Sequence, residues 1–281
     1  MTMIDTHLHL VDRTALTYPW LADAPALDRD WTHEDYAREA AACGITAALH
    51  MEVDVAEDLI AAETAHIESL PDRADVPIIG IIGGCRPESP RFAQQIEQAL
   101  SGGAVVGLRR VLHTMPDDLS RTAQFRDNLR RLSDHDLPFD LCVLARQLPL
   151  AIALADAAPD TQFVLDHCGV PDIAGGAFDG WARDIAALAE RPNVAAKISG
   201  LPAYAAPGWT PSDLRRWTDH VAASFGFDRL VWGSDWFVCT LGGGLTKWAE
   251  ATRDLFAHAS EAERHALYAA NAARIWKLPL D

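Results

Sequence analysis

Cysteine is scarce in this chain, and no two cysteines have the spacing of a redox or metal motif. The 281 residues include five cysteines, an odd number, scattered without a Cys-x-x-Cys pair. The odd count and the scattered spacing suit reduced thiols better than a disulfide framework. We therefore expect all five to be reduced residues of the core.

Basic residues and long apolar runs are also few. The chain has 24 lysines and arginines against 40 acidic residues, a formal net charge of −16. This charge repels phosphate backbones and anionic membrane surfaces, so we expect neither nucleic acid nor a membrane as a partner. The longest apolar run, residues 76–84, is shorter than the roughly 20 residues that span a bilayer. No secretory signal precedes the first strand, and we expect a soluble, cytoplasmic protein.

Short apolar segments bounded by turn residues recur along the whole chain, and helical patterns separate them. This alternation is typical of an α/β protein with a parallel sheet covered by helices. The predicted strands lie within residues 1–10 and at 45–53, 76–84, 105–113, 138–144, 162–168, 194–199 and 230–235. The predicted helices lie at 33–43, 55–69, 90–100, 123–135, 148–158, 178–190, 212–225 and 247–258.

Eight strand–helix units predict a closed (β/α)8 barrel, the TIM barrel. We expect a single domain over residues 1–281, in which about 260–281 form a C-terminal helical extension. An open, doubly wound sheet is the competing arrangement. It is disfavoured because no Gly-x-Gly-x-x-Gly joins the first strand to its helix.

Polar residues gather where the predicted strands end. His7 and His9 are two positions apart on the first strand, so both imidazoles point to one face, with Asp5 one layer deeper. In a barrel, catalytic groups come from the carboxyl ends of several strands. Histidines and aspartates that converge on one mouth suit a divalent ion, most often zinc, with one position left open. The other strand ends carry His50-Met51-Glu52, Arg109 to His113, Asp166-His167, Lys197 and Asp235-Trp236.

Two further groups of residues give simpler expectations. The polar and aromatic segment 11–32, which contains Tyr18 and Trp20, has no helical period and either walls a pocket or packs over the barrel rim. The histidines within helical patterns should face outward into solvent. They are His33, His66, His135, His220, His258 and His265.

Five stretches of the chain match a known family. They are Ile-Asp-Thr-His-Leu-His at 4–9, Tyr-Pro-Trp-Leu at 18–21, Leu-Asp-His-Cys-Gly at 165–169, Lys-Ile-Ser-Gly-Leu at 197–201 and Trp-Gly-Ser-Asp-Trp at 232–236. On these residues the chain resembles the barrel amidohydrolases. Within them it is similar to the sugar-lactone hydrolases that include L-fuconolactonase and L-rhamnonolactonase. The resemblance covers nearly the whole chain.

The resemblance implies hydrolysis of a small-molecule sugar lactone, with L-fuconolactone or a close stereoisomer as the substrate. A metal, or a cluster of imidazoles in its place, would polarise the carbonyl while Asp235 acts as general base and then acid. It implies one zinc ion on His7, His9 and Asp235, although some lactonases of this type look able to work without metal. His167 would be a ligand or a carbonyl polariser. Binuclear relatives bridge two metals with a modified lysine after the fourth strand, where this chain has Arg109.

The remaining strand-end residues have two interpretations each. Arg109 and His113 face the same side and can bind substrate oxygens, or Arg109 can pair with a barrel acid such as Glu52. Glu52 itself can reach a metal or a sugar hydroxyl, or form that ion pair. Lys197 can act as nucleophile or base, or cap the barrel through a carboxylate. Trp236 can stack on a sugar ring or pack against neighbouring loops.

Two other functions compete with lactone hydrolysis. Relatives with the same opening histidine pair and final aspartate are metal-dependent decarboxylases of unsaturated or aromatic acids, so decarboxylation is the alternative activity. The third hypothesis is a barrel that binds a sugar acid without any catalytic activity. Replacement of Asp235 separates an enzyme from the silent barrel, because only an enzyme has turnover to lose.

Overall fold

The eight predicted strands form one parallel sheet that closes into a barrel. The computed structural model describes residues 2–71, 73 and 75–278, and its strands follow one another around the sheet in chain order. The sheet closes where Leu8 forms a parallel bridge with Trp236 and the His9 amide donates to the Trp236 carbonyl at 2.8 Å. The TIM-barrel prediction is confirmed. The strands are β1 (Ile4–Leu8), β2 (Ala47–Met51), β3 (Ile78–Gly84), β4 (Val105–Val111), β5 (Phe139–Cys142), β6 (Phe163–Leu165), β7 (Val194–Ile198) and β8 (Leu230–Trp232).

Helices follow the strands and cover the barrel. They are α1 (His33–Ala42), α2 (Ile60–Glu68), α3 (Phe92–Leu100), α4 (Ala123–Arg130), α5 (Leu148–Ala157), α6 (Phe178–Ala189), α7 (Leu201–Tyr204), α8 (Pro211–Phe225), α9 (Leu245–Leu255), α10 (Glu261–His265) and α11 (Asn271–Trp276). The helix predicted over 55–69 starts with a 3₁₀ turn, and the one over 123–135 ends with one. The short α7 had no signal in the sequence.

The C-terminal helix closes the amino end of the barrel. Trp276 of α11 is buried in a cluster with inward-facing residues of the strands, among them Ile4 and Leu49. Gly107 of β4 makes room for this ring, because a Cβ atom there would lie 3.0 Å from the indole Nε1. Since one end of the barrel is filled in this way, the polar strand ends face the opposite mouth.

One expectation about the outer histidines is wrong. His33 is buried, because α1 packs against the barrel and the His33 Nε2 atom pairs with the Val76 carbonyl at 2.9 Å. His135, His258 and His265 are exposed as predicted, while His66 and His220 are half-buried. Among the helices of the described residues, none is long and apolar enough to cross a membrane.

Candidate active site

A cavity of about 240 Å³ opens at the carboxyl end of the barrel. This volume lies just below the usual range for small-molecule sites, roughly 300–1,000 Å³. Trp20 from the segment 11–32 forms part of its wall, which confirms the pocket interpretation of that segment. The lining residues are His9, Trp20, Val53, Asp54, Arg109, Val111, His113, Thr114, Cys142, His167, Tyr204, Asp235 and Val238.

Three imidazoles surround one carboxylate oxygen at the base of this cavity. Asp235 Oδ1 lies 3.7 Å from His7 Nε2, 3.6 Å from His9 Nε2 and 4.0 Å from His167 Nε2. The Asp235 backbone has a φ of 57° and its amide donates to the His7 carbonyl at 3.0 Å, so the turn after β8 is tied to β1. The structure therefore brings together the four residues that the sequence placed at the reacting centre.

His7 lies on β1 and His9 directly after it, and the strand between Asp5 and His9 is irregular. The pairing register with β2 shifts between Asp5 and Leu8, and the chain leaves the sheet before His9. The two Nε2 atoms then lie 3.1 Å apart. Asp5 does not sit beneath them as an acceptor for their rings. Its carboxylate instead accepts from the Tyr36 hydroxyl, the Ser234 amide and the His7 amide.

The donor geometry of this cluster fits a zinc ion. Ligands 2.0–2.1 Å from a tetrahedral ion are about 3.3 Å from each other, and the distances among His7 Nε2, His9 Nε2 and Asp235 Oδ1 are 3.1, 3.6 and 3.7 Å. His9 Nδ1 donates to the Met51 carbonyl at 2.9 Å, which leaves the lone pair on Nε2 facing the cluster. These three residues can hold one metal ion.

Arg109 brings a fixed positive charge to the same place. Its Nε donates to Glu52 Oε1 at 2.6 Å and one Nη to the Glu52 carbonyl at 2.6 Å, while the other Nη lies 3.4 Å from both His7 Nε2 and Asp166 Oδ2. The second Glu52 oxygen accepts from the Asp54 amide. Arg109 therefore forms the ion pair with Glu52. Glu52 is only 3% exposed and does not line the cavity.

Lys197 lies inside the barrel beneath His7 and is fully buried. Its ammonium group is 2.6 Å from Asp140 Oδ1, 3.0 Å from Asp166 Oδ1 and 3.3 Å from His7 Nδ1. Burial opposes ionisation of Asp166, but Lys197 and His7 outweigh it and hold the pKa of Asp166 well below its usual range. Lys197 therefore pairs with carboxylates, which is the second of its two interpretations from the sequence.

A strained turn aims His167 at the reacting centre. The chain is left-handed from His167 through Val170, with φ between 45° and 69°, which is costly for residues other than glycine. Gly200 leaves the space that the ring needs, because a Cβ atom there would lie 2.4 Å from His167 Nδ1. Ser199 Oγ is 2.9 Å from that Nδ1 atom.

His113 stands at the cavity wall as predicted. It is half-buried, and its Nδ1 atom is 3.0 Å from Cys142 Sγ at the end of β5. Burial and the nearby Arg109 charge lower the pKa of His113 to about 4, so the ring is neutral at physiological pH. All five cysteines are free and buried, as expected.

Aromatic residues at the cavity differ from those expected. Trp236 is fully buried between Trp31, Tyr36 and Phe237 and does not reach the cavity. Trp20 provides the aromatic face instead, fixed by its Nε1 atom donating to the Val53 carbonyl at 2.8 Å. Tyr204 of α7 and Asp54 after β2 also line the cavity and were not singled out from the sequence. The Tyr-Pro-Trp-Leu stretch was the available signal for Trp20.

Known proteins that resemble this chain in sequence or in structure include lactone hydrolases and an amidohydrolase. A family model described as amidohydrolase matches residues 4–278. L-fucono-1,5-lactonase of Burkholderia multivorans is 30% identical, over 98% of this chain and 96% of that protein. 4-Sulfomuconolactone hydrolase of Rhizobium radiobacter is 24% identical, over 83% of this chain and 74% of that protein. A crystal structure of an amidohydrolase from Burkholderia multivorans with bound zinc superposes with a TM-score of 0.87 at 29% identity, covering 99% of this chain and 100% of that one.

Proposed function

The chain belongs to the amidohydrolase family, and from that premise we propose that it hydrolyses the ring ester of a sugar lactone to the free sugar acid. The observation that carries the proposal is the convergence of three imidazole Nε2 atoms within 4.0 Å of Asp235 Oδ1 at the base of a small cavity. That arrangement offers a base for water beside several groups able to stabilise a developing oxyanion.

Asp235 is the proton carrier of the proposed reaction. Its carboxylate takes a proton from water as the water oxygen attacks the lactone carbonyl carbon, which gives a tetrahedral intermediate with a negatively charged oxygen. When the bond between that carbon and the ring oxygen breaks, the same proton goes to the leaving alkoxide. The product hydroxy acid ionises at neutral pH, so each turnover releases one proton to the solvent.

Donors beside Asp235 stabilise the negative oxygen of the proposed intermediate. His167 and Arg109 both lie at the cavity wall, where donors in a buried site act more strongly than in water. Glu52 holds the Arg109 guanidinium from behind, so little reorganisation is needed during the reaction. If His7, His9 and Asp235 hold a zinc ion, it supplies Lewis acidity to the carbonyl and lowers the pKa of bound water.

The cavity walls favour a ring-sized, partly apolar substrate. Trp20, Val53, Val111 and Val238 form an apolar face, while Asp54 is placed to accept from a hydroxyl group. An aromatic face opposite polar groups is typical of sugar binding. We therefore propose L-fuconolactone or a close stereoisomer, in agreement with the name of the Burkholderia multivorans relative.

A panel of aldonolactones tests the proposal. A pH indicator would follow acid release by protein as purified, loaded with zinc and treated with chelator. We expect at least one lactone to open well above the buffer rate, with loss on chelation if the ion polarises the carbonyl. Activity that survives chelation would leave that task to the imidazoles and Arg109. No acid release from any lactone, together with carbon dioxide release from unsaturated or aromatic acids, would replace the proposal with decarboxylation.

A further inference from the structure

Two histidines at the cavity are held by the same construction. His113 follows β4 and is in contact with Cys142 on the neighbouring β5, and His167 follows β6 and is in contact with Ser199, which follows the neighbouring β7. In both cases the adjacent strand offers a thiol or a hydroxyl group to the Nδ1 atom. Both of these partners are buried, at 2% exposure for Cys142 and 0% for Ser199.

The hydrogen bonds around Ser199 fix where His167 carries its proton. Ser199 Oγ already accepts from the His167 backbone amide at 3.3 Å. Within the described part of the chain, His167 Nδ1 at 2.9 Å is the one acceptor that the hydroxyl hydrogen can reach. Donation from Nδ1 to Oγ would leave a buried hydroxyl hydrogen without an acceptor, which is unfavourable. A neutral imidazole that accepts at Nδ1 must carry its hydrogen on Nε2.

The same reasoning applies to His113. Burial raises the pKa of the Cys142 thiol, so its sulfur keeps a hydrogen to donate. His113 Nδ1 at 3.0 Å is the acceptor for that hydrogen, and a thiol donates more readily to an imidazole nitrogen than it accepts. Arg109 and burial keep the ring neutral. His113 Nε2 therefore carries a hydrogen and has no protein partner among the described residues.

We propose that Cys142 and Ser199 are positioning residues, which hold His113 and His167 as two neutral N–H donors for oxygens of the substrate. His9 has the opposite arrangement, since its Nδ1 donates to the Met51 carbonyl and its Nε2 keeps a lone pair. The identity of these substrate oxygens rests on the proposed lactonase function. The positions of the hydrogens on the His113 and His167 rings do not depend on that function.

Nitrogen NMR of the metal-free, substrate-free protein reads the two tautomers directly. In protein with labelled histidine, His113 and His167, two of the 11 rings, should each show an unprotonated Nδ1 and a protonated Nε2. The His113 signal should change in Cys142→Ala, and the His167 signal should change in Ser199→Ala. Cys142→Ser keeps a donor and should retain the His113 signal. Cys43→Ala removes a buried thiol at the end of α1 and should leave both signals unchanged.

Activity is the second readout. Losing a hydrogen bond that orients a donor should lower kcat/KM about tenfold in Cys142→Ala and in Ser199→Ala, whereas Cys142→Ser should restore most of it and Cys43→Ala should match the parent. A protonated Nδ1 on either ring of the parent protein, or equal activity of Cys142→Ala and Cys142→Ser, would overturn the proposal. If the tautomers are as expected but no lactone is opened, the proposed function fails and the assignment of the hydrogens stands.

Discussion

Gly233 holds open the space for His7, and a single methyl group there should disturb the reacting centre. A Cβ atom at this position would lie 2.7 Å from His7 Cβ, 3.3 Å from His7 N and 3.4 Å from Lys197 Cδ. The first distance is too short for any real contact, so β1 and β8 must move apart. Overpacking of this kind costs about 1–3 kcal/mol, and a shift of about 1 Å in a catalytic group can lower turnover roughly 100-fold.

Gly233→Ala is therefore expected to lose about 100-fold in kcat/KM on the best lactone. Its Tm should fall by about 2–4 °C for each kcal/mol lost. Gly180→Ala is a matched control, because Gly180 lies in the exposed face of α6 with nothing within 4 Å of its Cβ position. That control should keep full activity and gain slightly in stability. If Gly233→Ala matches Gly180→Ala in both measurements, our account of how His7 is held is refuted.

Three further substitutions test other parts of the site. Trp20→Ala should raise KM more than it lowers kcat, because the ring binds substrate without taking part in the chemistry; steady-state kinetics separate the two. His9→Gln should abolish stoichiometric zinc in metal analysis after dialysis, and an unchanged zinc content would remove His9 from the ligand set. Glu52→Gln should destabilise the fold by about 3–5 kcal/mol, because it removes the charged group that pairs most closely with the buried Arg109 guanidinium. Chemical denaturation measures that loss, and a change below about 1 kcal/mol would contradict the ion pair as described.

The barrel was predictable because its signals are local and repeated. Each strand is an apolar run between turn residues, and helical segments separate these runs, so eight units could be counted without tertiary information. Helix starts were also readable where a side chain caps them, as Thr32 does for α1 by accepting from the Asp35 amide. Most predicted strands run one to three residues past their observed carboxyl ends, although β3 ends at Gly84 as predicted. The sequence does not mark where the ladder of hydrogen bonds stops.

The parts of the site that were missed depend on contacts between distant segments. Strict alternation along β1 could not foresee the register shift that turns Asp5 toward Tyr36. Trp20 and Trp236 looked equally able to meet a substrate, and only packing shows that Trp236 is enclosed by other aromatic rings. The roles of Cys142 and Ser199 arise from adjacent strands more than 25 residues apart in sequence.

The proposed reaction depends on Asp235 moving the proton in lactone opening. Acid release from the best aldonolactone, measured side by side for the parent protein and Asp235→Asn, tests it most directly. General base catalysis contributes roughly 100- to 10,000-fold, so we predict a loss of that size in kcat, with binding of the product acid retained. If an Asp235→Asn variant folds and turns over at the parent rate, Asp235 does not carry the proton.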